Sequence, residues 1–264
     1  MFFNYWSPIL PGLKRVSNIL RYGIGQRARE RKQADKEAAR QAAFHSDLWR
    51  EEQGLAHRQY ASYEEYLAHQ SQKLEKVAHR LQETEAEDLA EFTRRFSSCT
   101  ALSVTRSVLC LGARLGTEVK ALRSLGYFAV GIDLNPGINN PYVLYGDFHN
   151  LMFADGAVDA VYTNALDHVF DLKRVVAEIK RLLSPGGLFI ADVLLGFEEG
   201  FVPGAYEATH WPTVEALLDA IRDQSGFALE SVRDLGYTRR DRWQQAVFRK
   251  PLSEASPTDT VPAM

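Results

Sequence analysis

The residues best placed to do chemistry are two glycines and an acid. Gly112 and Gly116 lie in Ser107-Val-Leu-Cys-Leu-Gly-Ala-Arg-Leu-Gly-Thr-Glu118, and Asp133 closes the apolar run Tyr127-Phe-Ala-Val-Gly-Ile-Asp133. Glycine lets a backbone pass close to a ligand. An acid about 20 residues after the first glycine, at the tip of the next strand, has the spacing of a carboxylate that binds ribose hydroxyls. The pattern points to a nucleoside-containing cofactor lying across the carboxyl ends of a parallel sheet. A dinucleotide loop would read G-x-G-x-x-G, but Arg114 stands where the second glycine admits a pyrophosphate. The spacing suits a cofactor without a diphosphate and disfavours a nicotinamide-dependent oxidoreductase.

Those groups need a strand–turn–helix–strand unit to position them, and the flanking sequence predicts one. Ser107–Leu111 reads as a strand, Thr117–Leu125 as a helix and Phe128–Ile132 as the next strand. Further strands are expected at Tyr142–Tyr145, Asp159–Thr163 and Leu188–Val193, with a turn at Ser184-Pro-Gly-Gly187. Asp171–Leu183 is an amphipathic helix, Thr213 caps another that runs to about Ser225, and Leu229–Arg233 and Ala246–Arg249 form a closing antiparallel pair. Short strands alternating with helices imply an α/β fold with helices on both faces of the sheet.

Ahead of this lies a stretch, residues 25–97, without proline and rich in Ala, Glu, Lys, Arg and Gln. It predicts helices over about 26–44, 46–58, 62–83 and 85–97. Ser62 and Glu65 have the spacing of a capping box. Tyr63, Tyr66, Leu67, Leu74, Val77 and Leu81 share one helical face that needs a partner surface.

The chain has 264 residues and a net charge of −3, so charge alone does not make it a nucleic-acid binder. Residues 1–32 hold seven cations against Glu30, a balance of +6, which leaves −9 for the rest. Cys99 and Cys110 form no disulfide framework and no metal spacing, which fits a reducing, cytoplasmic compartment. No run of about 18 apolar residues is present, and the N-terminus is a poor signal peptide.

Cys110-Leu-Gly112-Ala-Arg114-Leu-Gly116 resembles the first motif of class I S-adenosylmethionine-dependent methyltransferases, usually acid-x-G-x-G-x-G. Gly146-Asp147-Phe148-His149, Phe153-Ala-Asp155-Gly156-Ala-Val-Asp159-Ala-Val161, Leu166-Asp167-His168-Val169 and Glu178-Ile-Lys-Arg-Leu-Leu-Ser-Pro-Gly-Gly187 follow in the family's order, so the resemblance covers about residues 105–250. It implies a doubly wound, mostly parallel seven-stranded Rossmann-like sheet with an N-terminal helical extension, and S-adenosylmethionine as cofactor. The implied division is residues 1–100 as a basic, aromatic and helical extension, 101–250 as the methyltransferase domain and 251–264 as a mobile tail.

Position by position, the resemblance places Gly112, Ala113, Arg114 and Gly116 beside the methionine portion of the cofactor. It gives Asp133 the ribose hydroxyls, and Asp147 the adenine amino group, with the Phe148 backbone N–H donating to a ring nitrogen. Leu134 and Phe148 would pack on the adenine faces, and Asn164 would face the reactive end. Two departures matter. Cys110 replaces an acid and Arg114 replaces a glycine. Arg114 either pairs with the cofactor carboxylate or fills the methionine pocket. The second choice would leave a non-catalytic scaffold on a degenerate fold, the alternative to an enzyme.

Methyl transfer needs a base only where the acceptor must lose a proton. His149, His168 and His210 are the titratable candidates, with His168 the one carried forward as catalytic. Thr163-Asn164-Ala165-Leu166 stands where the family's base and amide methylators often carry an Asn/Asp-Pro-Pro-aromatic motif. Small-molecule, glycan or lipid-linked acceptors and O- or C-methylation remain, without nucleic acid. Gly196–Trp211, with Phe197, Phe201, Tyr206, His210 and Trp211, is either a substrate lid or aromatic packing against the N-terminal helices. Phe2, Phe3, Tyr5, Trp6, Ile9 and Leu10 with the cations of residues 1–32 suit peripheral contact with an anionic membrane, or a docking tail.

Overall fold

The computed structural model describes residues 11–238 and 241–252. The chain divides into two compact units, Met1–Ser46 and Asp47–Met264. The first contains the long helix α1, Pro11–Phe44. The aromatic start at residues 1–10 and the tail from 253 lie outside the described residues, and so do the membrane and mobile-tail expectations placed there.

The second unit is built on a seven-stranded sheet. Its strands are β3 (Ser107–Leu111), β4 (Phe128–Asp133), β5 (Val143–Tyr145), β6 (Val158–Thr163), β7 (Leu183–Leu194), β9 (Ala228–Thr238) and β10 (Asp241–Arg249). Their order is β5-β4-β3-β6-β7-β10-β9. The first five run parallel, and β10 pairs antiparallel with both β7 and β9. The sheet grows outward from β3 through β4 to β5, then returns to the other side of β3 with β6. That reversal opens a crevice at the carboxyl ends of β3 and β6.

The core strands are apolar along their whole length because both faces are covered. Val108, Leu109, Cys110 and Leu111 are all buried, as are Phe189, Ile190, Ala191 and Val193. Helices α6 (Leu172–Leu182) and α7 (Val214–Ser225) pack on one face. Helices α5 (Thr117–Ser124) and α4 (Glu85–Ser97) pack on the other. Asp171 and Thr213 cap α6 and α7, each side chain accepting from the backbone N–H three residues on.

Two elements depart from the sequence reading. Residues 46–58 form a hairpin, β1 (Trp49–Glu52) and β2 (Leu55–Arg58), rather than a helix. Gln53 and Gly54 both have positive φ, +53° and +77°, which makes the tight hairpin turn. Leu55 and Ala56 are buried and β2 pairs with β8 (Thr209–His210), so long-range pairing overrides the local helix preference. The turn expected at 184–187 is instead part of β7, which starts directly after α6.

The helix expected over 62–83 is two helices, α2 (Tyr63–Ser71) and α3 (Lys73–Glu83), meeting at Gln72. Ser62 caps α2 by accepting from Glu65 N–H, while the Glu65 carboxylate accepts from Ala61 N–H, one residue before the usual capping-box partner. The boundary drawn at residue 100 on composition falls inside the second unit, because α2, α3 and α4 are bonded into the sheet domain.

Candidate active site

Helices α2 and α3 lie over the crevice and narrow it into a cleft. Tyr66, Gln70, Lys73 and Leu74 form its cap. Gly112 and Arg114 of the loop after β3, and Asp133, Leu134 and Asn135 at the tip of β4, form its floor. Phe148, Ala165 and His168 complete the wall.

The glycine loop explains its own residue types. Gly112 has φ +74°, and a Cβ there would meet Ala165 Cβ at 2.6 Å. Gly116 has φ +81°, and its Cβ would meet Tyr142 Cβ at 2.8 Å. Arg114 also has positive φ, +43°, a conformation that glycine adopts without strain. Asp133 fixes the loop: its carboxylate accepts from Arg114 N–H at 2.9 Å and from Asn135 N–H at 2.8 Å. Burial raises the Asp133 carboxyl above its ordinary value.

Of the residues expected at the site, Gly112, Arg114, Asp133, Leu134, Phe148 and His168 share the cleft. Ala113 is buried under the loop, where it touches the space over Gly131. Gly116 caps α5. Ala165 rather than its neighbour Asn164 reaches the wall. Asp147 is engaged elsewhere, accepting from Tyr63 Oη at 2.5 Å on one oxygen and from His149 Nδ1 and backbone N–H on the other. His149 is buried and ties that loop to the Phe170 and Asp171 amides, a structural role. His210 sits on β8, packed against Trp211 and Phe201.

Three functional-type groups escaped the sequence reading: Lys73, Glu118 and Glu207. Lys73 Nζ is hydrogen-bonded to His168 Nε2. Burial, then the charge of Arg114, lowers Lys73 to about 7. Burial, then Lys73, holds His168 well below its ordinary value. The His168 Nδ1–H donates to Tyr206 O at 2.9 Å, which fixes the tautomer and leaves the Nε2 lone pair toward Lys73. Asp167 beside it is raised to about 7 by burial and by Glu207. Nothing local in the sequence marks Lys73, because its partner is 95 positions away.

Glu118 is fully enclosed, and burial raises it to about 8. It lies in the first turn of α5, near enough for its charge to raise the Cys110 thiol further. An acid in a helix's first turn is ordinarily a solvent-facing dipole partner, which hid this one.

The segment 196–211 packs against the cap and also reaches the site. The Tyr206 ring stacks on His69 at 4.9 Å, and its carbonyl accepts from Gln70 Nε2. Arg58 of β2 holds the Gly204 and Glu207 carbonyls, which sets Glu207 facing Asp167. Further out, Arg181 and Glu178 hold the 151–155 loop, so Asp155 and Glu178 serve the fold.

The cleft fits an adenosine-linked sulfonium with an amino-acid tail. Asp133 offers a carboxylate to hydroxyls, and Leu134 and Phe148 offer apolar faces. The Arg114 guanidinium has no hydrogen-bond partner among the described residues and can take a carboxylate. No helix among the described residues is long and apolar enough to cross a membrane.

A family profile described as "Methyltransferase domain" matches residues 109–191. No curated protein matches the chain. Among solved structures, the Burkholderia thailandensis 1,6-didemethyltoxoflavin-N1-methyltransferase, bound to its substrate and S-adenosylhomocysteine, is 17% identical, with a TM-score of 0.59 over 75% of this chain and 96% of that one. The putative methyltransferase of Haloferax volcanii, solved with the Trm112 activator, is 21% identical, with a TM-score of 0.54 over 70% and 99%. A possible histamine N-methyltransferase from Thermotoga maritima is 16% identical, with a TM-score of 0.52 over 70% and 99%. These structures share the fold. The profile falls on the glycine loop, the acid at the tip of β4 and the strands around the crevice. Residues 109–191 thus match a methyltransferase domain, and the fold around them is one that S-adenosylmethionine-dependent methyltransferases share.

Proposed function

We propose that this enzyme methylates a small or glycan-type acceptor at oxygen, with Gly112, Arg114, Asp133, Leu134 and Phe148 holding the cofactor and His168 at the reacting end. The observation that carries the reading is the placement of His168 in the same cleft as Gly112 and Asp133, under the roof made by α2 and α3. A roofed cleft admits a small acceptor or the end of a chain better than a folded macromolecule. The small-molecule methyltransferase with the same fold supports that acceptor class.

When bound, the cofactor supplies an activated methyl group. The chain's own groups align and exclude water. Arg114 would pair with the tail carboxylate, and Asp133 would accept from the ribose while keeping its bonds to Arg114 and Asn135 amides. Leu134 and Phe148 would cover the adenine. Proton-accepting groups at the reacting end suit a hydroxyl acceptor, which must lose its proton on methylation.

The test is transfer of labelled methyl from S-adenosylmethionine into fractionated cell extract. Label in the small-molecule or glycan fraction, lost with Asp133→Asn, supports the reading. Label confined to protein or nucleic acid overturns it.

A further inference from the structure

We propose that Lys73, carried into the cleft by α3, is the catalytic group that takes the proton from a hydroxyl-bearing acceptor, while His168 is the positioning residue that holds it. The proposal rests on the methyl-transfer reading above and adds the residue that handles the proton.

Transfer to a hydroxyl breaks the acceptor's O–H bond and the donor's carbon–sulfur bond, and forms one O–CH3 bond. The sulfur keeps the electron pair of its broken bond, so the proton needs a separate destination. A neutral Lys73 amine accepts it on its lone pair and becomes the ammonium. His168 is the poorer destination. Its Nδ1–H is committed to Tyr206 O and its Nε2 lone pair to Lys73, so neither ring nitrogen has a lone pair free for the acceptor.

The surroundings poise Lys73 between its two forms. Burial and the Arg114 charge favour the amine. Asp167, Glu207 and Asp133 favour the ammonium. His69 and Lys76 lie close by on the cap, around the Tyr206 ring. Glu207 Oε2 is buried without a hydrogen-bond partner, an acceptor available to a newly charged neighbour. Asp167, His168 and Glu207 present three ligand-type atoms within 4.8 Å of one another, but the imidazole Nε2 lone pair is already taken by Lys73 and the Arg114 guanidinium opposes a dication. The cluster is therefore arranged for protons.

The experiment uses the protein loaded with S-adenosylhomocysteine and 4-nitrophenol as the acceptor probe, read through the phenolate absorption band. The wild type is expected to ionise the bound probe at a pH lower by about one unit than free solution, a tenfold shift in ionisation. K73M is expected to abolish the shift. K73R keeps a cation beside the phenolate and so keeps a shift, but its guanidinium is already protonated, so ionising the bound probe releases to the buffer a proton that the wild type holds on Lys73. Thermal unfolding of both variants controls for folding. No shift in the wild type, a shift that survives K73M, equal proton release by the wild type and K73R, or a shift that only a His168→Gln substitution removes, overturns the proposal while leaving the methyltransferase reading intact. Failure of S-adenosylhomocysteine to bind the wild type, measured by calorimetry, defeats both.

Discussion

The Tyr63 hydroxyl donates to Asp147 Oδ2 at 2.5 Å, joining the first turn of α2 to the loop that follows β5. This bond helps seat the cap over the cleft, together with the Tyr66 hydroxyl on the His168 carbonyl at 3.0 Å. Burial raises the Asp147 carboxyl, but the bonds from His149 and Tyr63 outweigh it and hold the group below its ordinary value. A carboxyl depressed in the folded state stabilises above its unfolded value, and that contribution fades as pH falls through the folded one. Tyr63→Phe should therefore cost about 1–2 kcal/mol at neutral pH, and less at about pH 3. Urea unfolding at the two pH values measures both.

Glu118→Gln should stabilise the protein at alkaline pH. Glu118 is raised to about 8 by burial, so the folded state holds a proton that the unfolded chain has released. Stability from this group is lost as pH rises from the ordinary carboxyl value to about 8, then levels off. The glutamine keeps the shape without the charge. Its unfolding free energy should exceed the wild type's at high pH by an amount on the order of a few kcal/mol, with the gap closing below about pH 5.

Arg114→Gly separates stability from binding. Arg114 holds φ at +43°, and glycine relieves that strain by up to about 1 kcal/mol. The same change removes the guanidinium from the cleft. The variant should melt at or above the wild-type temperature yet bind S-adenosylhomocysteine about tenfold more weakly, a loss of about 1.4 kcal/mol. Unchanged affinity would show that Arg114 does not meet the cofactor carboxylate.

Much of this was legible beforehand. The strands β3, β4, β6 and β10 carry apolar runs with turn residues at their ends, and Asp171 and Thr213 announce the starts of α6 and α7. The glycines at 112 and 116 show their backbone requirement directly. The hairpin at 49–58 was hidden because its partner strand, Thr209–His210, lies about 150 residues away, and propensity does not see pairing. Lys73 and Glu118 were hidden for a related reason. A lysine or glutamate on a polar helix reads as solvated until tertiary packing shows what encloses it.

Helix α4 is anchored to the sheet away from the cleft. Arg95 of α4 donates to Asp192 of β7 at 2.9 Å, and Tyr162 and Gln245 complete the carboxylate's partners. Asp192→Leu leaves the buried guanidinium with Glu91 as its one remaining carboxylate partner among the described residues and should cost up to about 3–5 kcal/mol. Adding Arg95→Met should recover part of that loss, because the pair is then replaced by apolar packing. Chemical unfolding of the two variants measures the coupling.

The most direct test of the account is calorimetric titration of S-adenosylhomocysteine into the wild type and Asp133→Asn. The cleft geometry predicts saturable one-site binding to the wild type and an affinity at least about tenfold weaker in the variant, since the carboxylate is both ribose acceptor and loop anchor. No binding heat in the wild type, or equal affinity in the two proteins, would contradict it.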